Sequence, residues 1–384
     1  MQSKEPLYFI KYLNHKYMYD NAQRINFVDF IKGICMILVI WGHCIEYCDP
    51  ISYQNNNYYS NPLFEIIYSF HMPLFMLLSG YFFSNNLSRS FYSILRKRFI
   101  QLIMPCLTWG IIGLFLIYIN SFLSDNTLPS TKYIPYAYIN IIKNFWFIWV
   151  AFFSLILSYI SCKLIKNKIW AFCLSFFILL LLPDNFFFIS LYKYMYPFYW
   201  LGYLLNNQKH LLIKRRKYII LITFPLFIIL LFFWEIKYYI YITGMAFYKL
   251  ALPNLTFYPI KLNEQIRTVL FRYIIGTTGS LSIFYILNIF NNTNYKLSFL
   301  IQKIGKRTLG IYIIQSLILE YKLITFNFNS KNIILYNSFN TFITALILII
   351  LATGLIIIIE KNKFLNFLLL GNRWPNNYET KIQI

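Results

Sequence analysis

The sequence predicts an all-α, polytopic membrane bundle of about ten transmembrane helices, with N- and C-termini cytoplasmic. Three observations predict it. The 384 residues are 59% hydrophobic and only 12% charged, with a mean hydropathy of +0.54, which is too little charge to cover a soluble surface. Apolar stretches of spanning length recur along the chain between polar breaks. Lys and Arg outnumber Asp and Glu 35 to 13, and they fall in short clusters between the apolar runs. Such clusters suit loops facing anionic lipid and argue against nucleic-acid binding. The same composition excludes disorder, collagen and coiled coil.

Residues 1–26 are polar and basic (Lys4, Lys11, Lys16, Arg24) without an apolar centre. They read as a cytoplasmic tail rather than a signal peptide. Ten spans follow at about 27–48, 61–83, 99–120, 139–161, 169–182, 191–205, 218–243, 268–290, 308–325 and 341–359. Pro183 and Pro197 interrupt the fifth and sixth. Residues 360–384 close the chain as a second cytoplasmic tail, so 27–359 form one transmembrane domain with no room for a soluble one. With the N-terminus inside, the inner segments hold 24 Lys and Arg and the outer loops hold 5. That asymmetry follows the positive-inside rule for an even number of spans.

Six cysteines (Cys35, Cys44, Cys48, Cys106, Cys162, Cys173) sit in or beside apolar runs, with no CxxC spacing and no His-rich cluster. They read as small core residues, and no metal is expected.

Ionisable groups inside spans are costly and mark functional candidates. The first span holds Asp29, Lys32, His43 and Glu46. Asp29 and Lys32 are three apart and can pair on one face. Lys32 and His43 are eleven apart, which brings them within ~20° of eclipsed and ~16 Å apart along the axis. One stripe thus carries a cation near the cytoplasmic boundary and an imidazole deep in the membrane. His43 reads either as a polar side chain bonded to a neighbouring helix or as a general base suited to neutral pH. Glu46, one turn on, reads equally as a carboxylate that fixes the imidazole tautomer or as an interfacial charge.

The second span carries FHMPLFMLLSGY from Phe70 to Tyr81. His71 falls mid-membrane, and Pro73 below it frees backbone groups that only a buried or wet cavity tolerates. Ser79 and Gly80 allow close helix approach, or else face a site. His43 and His71 differ in depth by ~8 Å, so both could line one cavity. Arg96, Lys97 and Arg98 open the third span as a topogenic cluster, from which Arg98 could turn inward toward an anionic ligand.

These motifs resemble the acyltransferase 3 family of multispanning membrane O-acyltransferases, including its fucose 4-O-acetylase-like members. The resemblance runs over residues 24–315. It rests on DFIKGICMILVIWGH, FHMPLFMLLSGYFF and the basic start of the third span ending at Pro105, followed by NFWFIWVAFF, YPFYWLGYLL and IGKRTLGIYII. It implies transfer of an acyl group, usually acetyl, from cytoplasmic acyl-CoA to a sugar hydroxyl of a cell-surface polysaccharide or lipid-linked glycan. It also implies residence in the cytoplasmic (inner) membrane, with acetyl-CoA as donor and no metal. The family pairs a basic residue with a histidine ten intervening residues later, matched by Lys32 and His43. Members often carry two arginines three apart entering span three; Arg98 matches the first, and Gln101 stands at the second. Gln315 stands where many members have His after an Ile-Tyr run.

The implied mechanism docks CoA phosphates near Lys32 and Arg98, with Asp29 and Gln101 beside them. His43 acts as general base, Glu46 assists, and His71 or a nearby donor stabilises the oxyanion or orients the acceptor. Ser79, Trp146 and Gln315 are the candidate substrate contacts. No GxSxG is present, which favours direct transfer over an acyl-enzyme. The rival reading is a transporter or polymerase of lipid-linked sugars without acyl transfer, which ten aromatic-rich spans would equally suit. A non-enzymatic membrane scaffold is the other alternative.

Overall fold

Apolar runs without water to solvate their backbone must close their hydrogen bonds internally, and helices do so within one segment. The computed structural model follows that rule. It describes residues 5–48, 53–54, 56–125, 130–184, 187–245, 248–251, 256–259, 262–290, 296–320 and 335–372. Its main helices are α1 Glu5–Tyr47, α2 Pro62–Tyr81, α3 Phe91–Arg98, α4 Met104–Asp125, α5 Ile134–Asn144, α6 Trp146–Leu164 and α7 Lys168–Leu180. After these come α8 Ile189–Asn207, α9 Arg216–Leu231, α10 Leu262–Phe290, α11 Lys296–Lys306, α12 Thr308–Glu320, α13 Leu335–Lys361 and α14 Lys363–Leu370. One short antiparallel pairing, Tyr248–Ala251 with Thr256–Pro259, interrupts the helices.

Each of the ten expected spans overlaps helix, with residues 321–325 of the ninth outside the described residues. Six segments are long and apolar enough to cross a bilayer: Asn26–Tyr47, Pro62–Asn86, Phe91–Leu123, Trp146–Leu164, Glu264–Phe290 and Phe339–Lys361, with shorter apolar helices at Lys168–Leu180 and Thr308–Glu320. Large side chains such as Phe115, Leu123, Trp170 and Phe232 are exposed on their surfaces, as lipid-facing positions are. The protein is a multi-pass helical membrane protein.

Several boundaries differ from expectation. The N-terminal segment is helical from Glu5, because no Gly or Pro breaks residues 7–30. Pro197 does not end its helix but lies inside α8, as membrane helices tolerate. The fourth span divides at Phe145 into α5 and α6. The seventh stops at Leu231, and buried Arg272 then gathers the carbonyls of Lys237, Tyr238, Tyr239 and Gly244. The C-terminal segment includes α14, docked on α4 by Thr108 and Trp109, which donate to the carbonyls of Leu368 and Leu369 at 2.8 and 2.9 Å.

Two helix crossings depend on glycine. A Cβ on Gly80 would overlap the Tyr199 carbonyl, and one on Gly202 would overlap the Leu77 carbonyl, so α2 and α8 touch backbone to backbone. Gly305 likewise meets the Asp29 carbonyl and Gly33 that of Ile301, locking α11 against α1. Small residues permit such contact. The glycines of the SGY, LGY and IGK motifs are thus packing residues. Between α3 and α4 the helix widens into a π-helical turn, Phe99–Ile103, directly before Pro105, whose ring cannot join the regular ladder.

Candidate active site

The site begins with α1, α2 and α12 side by side. Along α1 the order is Lys32, Met36, Val39, His43; α2 runs the other way, so His71 and Met72 lie above Phe75, Ser79 and Phe82. Thr308, Leu309 and Tyr312 climb α12 toward Gln315.

A cavity of about 210 Å³ opens among these helices, α3 with the π-helical turn that follows it, α6 and α8, lined at its basic end by Lys32, Ser79, Phe82, Arg98 and Tyr199. Its walls are Met36, Phe75, Leu78, Phe147, Ala151 and Leu155, and it reaches Val39, Met72 and Tyr312. His43 is four residues beyond Val39, His71 adjoins Met72, and Gln315 follows Tyr312 by three. His43 therefore sits about one helical turn past the cavity's end and His71 one residue past it; neither lines the cavity.

At the basic end Lys32 and Asp29 form no ion pair among the described residues. The Lys32 ammonium instead lies 5.9 Å from the centroid of the Phe82 ring, where the ring face attracts a cation. Arg98 Nη1 donates to Gln101 Oε1 at 3.2 Å, so Gln101 is occupied by its neighbour. Arg98 Nε and the Tyr199 hydroxyl are buried without partners. Two cations face the cavity, and no carboxylate lines it.

At the other end His43 Nδ1 lies 3.0 Å from Gln315 Oε1. Gln315 Nε2 donates to the Tyr312 carbonyl at 3.1 Å, which fixes the amide's orientation. Its oxygen can only accept, so Nδ1 of His43 carries the hydrogen and Nε2 keeps a lone pair. His43 is half-buried while Gln315 is fully buried. His71, 2% exposed, donates from Nδ1 to the Ile67 carbonyl at 2.6 Å and packs on Tyr68, with ring centroids 4.8 Å apart. Its Nε2 is then also an acceptor. A neutral His71 in this tautomer cannot donate to an oxyanion, which removes half of the role expected for it.

Glu46 does not hold the His43 ring. It accepts from the Tyr68 hydroxyl at 3.2 Å, so Gln315 occupies the orienting position expected of Glu46. Ser79 donates to the Phe75 carbonyl at 3.0 Å, and its side chain lines the cavity. Trp146 is half-buried, beside the cavity wall at Phe147 and 6.0 Å from Tyr241. The Tyr312 hydroxyl donates to the Asn144 carbonyl at 3.1 Å, fastening the turn before Trp146.

Sequence reasoning did not single out Tyr199, Tyr312, Met72 or Tyr68. Nor did it find Glu320, which accepts from Ser316 at 2.5 Å. With 34 Tyr in the chain, nothing marked these tyrosines as special.

A family model described as an acyltransferase domain matches residues 25–361. Among curated proteins, the chain is 32% identical over 190 residues to "Nodulation protein NolL" of Sinorhizobium fredii, covering 48% of this chain and 49% of the relative. It is 36% identical over 182 residues to "Nodulation protein NolL" of Mesorhizobium japonicum, covering 46% of each. The matches span about half the length of those relatives. No solved structure matches. The family match takes in the first-span stripe, the FHMPLF segment, the basic last turn of α3 and the Gln315 helix alike: the chain belongs to the acyltransferase 3 family.

Proposed function

We propose that this protein is a membrane O-acyltransferase that moves an acyl group, usually acetyl, from acyl-CoA to a sugar hydroxyl of a cell-surface polysaccharide or lipid-linked glycan. The observation that carries this reading is the Gln315–His43 bond, which leaves an imidazole lone pair at the end of a cation-mouthed cavity.

The donor's phosphates bind at Lys32 and Arg98, where charge neutralises charge near the cavity mouth. At about 210 Å³ the cavity is smaller than the ~300–1,000 Å³ of a site that engulfs a drug-sized ligand. It suits a slender acyl-thioester arm, with the nucleotide left outside. The arm leads past Met36 toward Val39 and Met72, and side-chain movement there brings the thioester to His43.

His43 Nε2 takes the proton of the acceptor hydroxyl as its oxygen attacks the thioester carbonyl. The C–S bond breaks, the sulfur leaves with the electron pair, and the proton passes from His43 to that sulfur. His71 Nε2, an acceptor, orients the hydroxyl. Trp146 offers an aromatic face to the acceptor's ring. The mechanism is direct transfer, with residues 27–359 acting as one unit in the cytoplasmic membrane and Lys32 on the cytoplasmic side, as the positive-inside asymmetry favours.

The test is purified protein with labelled acetyl-CoA and a glycan acceptor. Label should enter the glycan, and His43→Gln should abolish turnover while acetyl-CoA binding survives. If wild-type protein gives neither acyl transfer nor thioester hydrolysis, the reading gives way to a carrier of lipid-linked sugars.

A further inference from the structure

We propose that the Tyr199 hydroxyl is a phosphate contact for the acyl donor, acting beside Arg98 in the place of the basic residue that Gln101 does not supply. The inference rests on reading the cavity as the donor site.

Tyr199 is 1% exposed, and its hydroxyl has no hydrogen-bond partner although the residue lines the cavity with Lys32 and Arg98. Arg98 Nε is also buried and unpartnered. Buried polar groups are ordinarily paired, and here two donors on different helices, from residues that both line the cavity, have no protein partner. With no carboxylate on the lining, the protein supplies no acidic acceptor there. A ligand rich in anionic oxygens fits both donors and both cations.

Local geometry explains why a tyrosine from α8 can serve. Gly80 lets α2 rest on the Tyr199 backbone, which fixes the depth of the residue, and its ring packs on Phe83 at 5.7 Å. Gln101, whose amide oxygen is taken by Arg98 Nη1, adds no charge. The anionic oxygens on the far side of the ligand therefore meet Tyr199.

The experiment titrates acetyl-CoA and S-acetylpantetheine, which has no phosphate, onto detergent-purified wild type, Tyr199→Phe, Gln101→Arg and the double variant. Loss of one hydrogen bond to a charged group should weaken acetyl-CoA binding by about tenfold in Tyr199→Phe. The KM for acetyl-CoA should rise accordingly, with kcat retained. S-acetylpantetheine binding should not change, and Gln101→Arg should restore acetyl-CoA binding in the double variant. Wild-type acetyl-CoA affinity in Tyr199→Phe, or equal loss for both donors, would overturn the proposal. If Arg98→Ala abolishes acetyl-CoA binding and Tyr199→Phe leaves it intact, the donor site stands and only the Tyr199 assignment falls. If wild-type protein binds no acetyl-CoA, both fall.

Discussion

Gln315 accepts a hydrogen bond from His43 across 272 positions of sequence, and the Tyr312 carbonyl holds the amide so that only its oxygen can face the ring. The His43 tautomer is thus set by a neutral group on a neighbouring helix. Gln315→Leu should free the ring to rotate and lower kcat by roughly 10–100-fold, the scale of a misplaced general base, with acetyl-CoA binding unchanged. Gln315→Glu keeps an accepting oxygen at the same place and should retain more activity than Leu. Equal loss in both, read from initial rates, would show that the side chain's shape and not its oxygen matters.

Lys32 faces the cavity without an acidic partner within ion-pair distance among the described residues. Lys32→Ala should raise the KM for acyl-CoA by about tenfold, the value of one charge-assisted contact. Lys32→Arg should keep most of the affinity. Binding curves that fall equally for both would remove the phosphate role.

Met72 and Val39 stand at the end of the cavity, Val39 one turn before His43 and Met72 next to His71. Met72→Ala should widen the passage and raise the rate with propionyl- or butyryl-CoA relative to acetyl-CoA. Ala151→Trp on the wall should fill the space and weaken every donor. A chain-length preference that neither substitution moves would argue that the thioester takes another route.

Gly305 of α11 meets the Asp29 carbonyl of α1, and Gly33 of α1 meets the Ile301 carbonyl of α11, so the two helices touch backbone to backbone. Gly305→Ala forces a methyl group into backbone and should cost ~1–3 kcal/mol of stability, the usual penalty of overpacking. Thermal unfolding in detergent measures this. A substitution at Gly354, which has open space around it, should be far milder.

The ionisable residues of the candidate site stand out in the sequence because a membrane span gives few reasons to keep a charge. Lys32, His43, His71 and Arg98 stand out from apolar surroundings, and the structure places Lys32 and Arg98 on one cavity with the histidines just beyond its far end. Helical periodicity could not choose a partner for His43, since Glu46 was near in sequence and Gln315 was near only in space. Tyr199 was hidden for a different reason: an aromatic residue in an aromatic-rich segment gives no contrast, and only its unpaired hydroxyl singles it out. The expected spans overlap helices, while several of their ends differ. Apolar content marks the lipid-immersed part of a helix, whereas α1 and α14 extend beyond that part, where other forces hold the backbone.

The cavity opens beside Lys32 and Arg98 and stops short of His43, while His43 itself is half-exposed beyond that stop. If chemistry happens at this divide, a bulky polymer can stay seated on its side while successive donor molecules come and go on the other. Desulfo-CoA should then compete with acyl-CoA alone, and raising the glycan concentration should not relieve the inhibition.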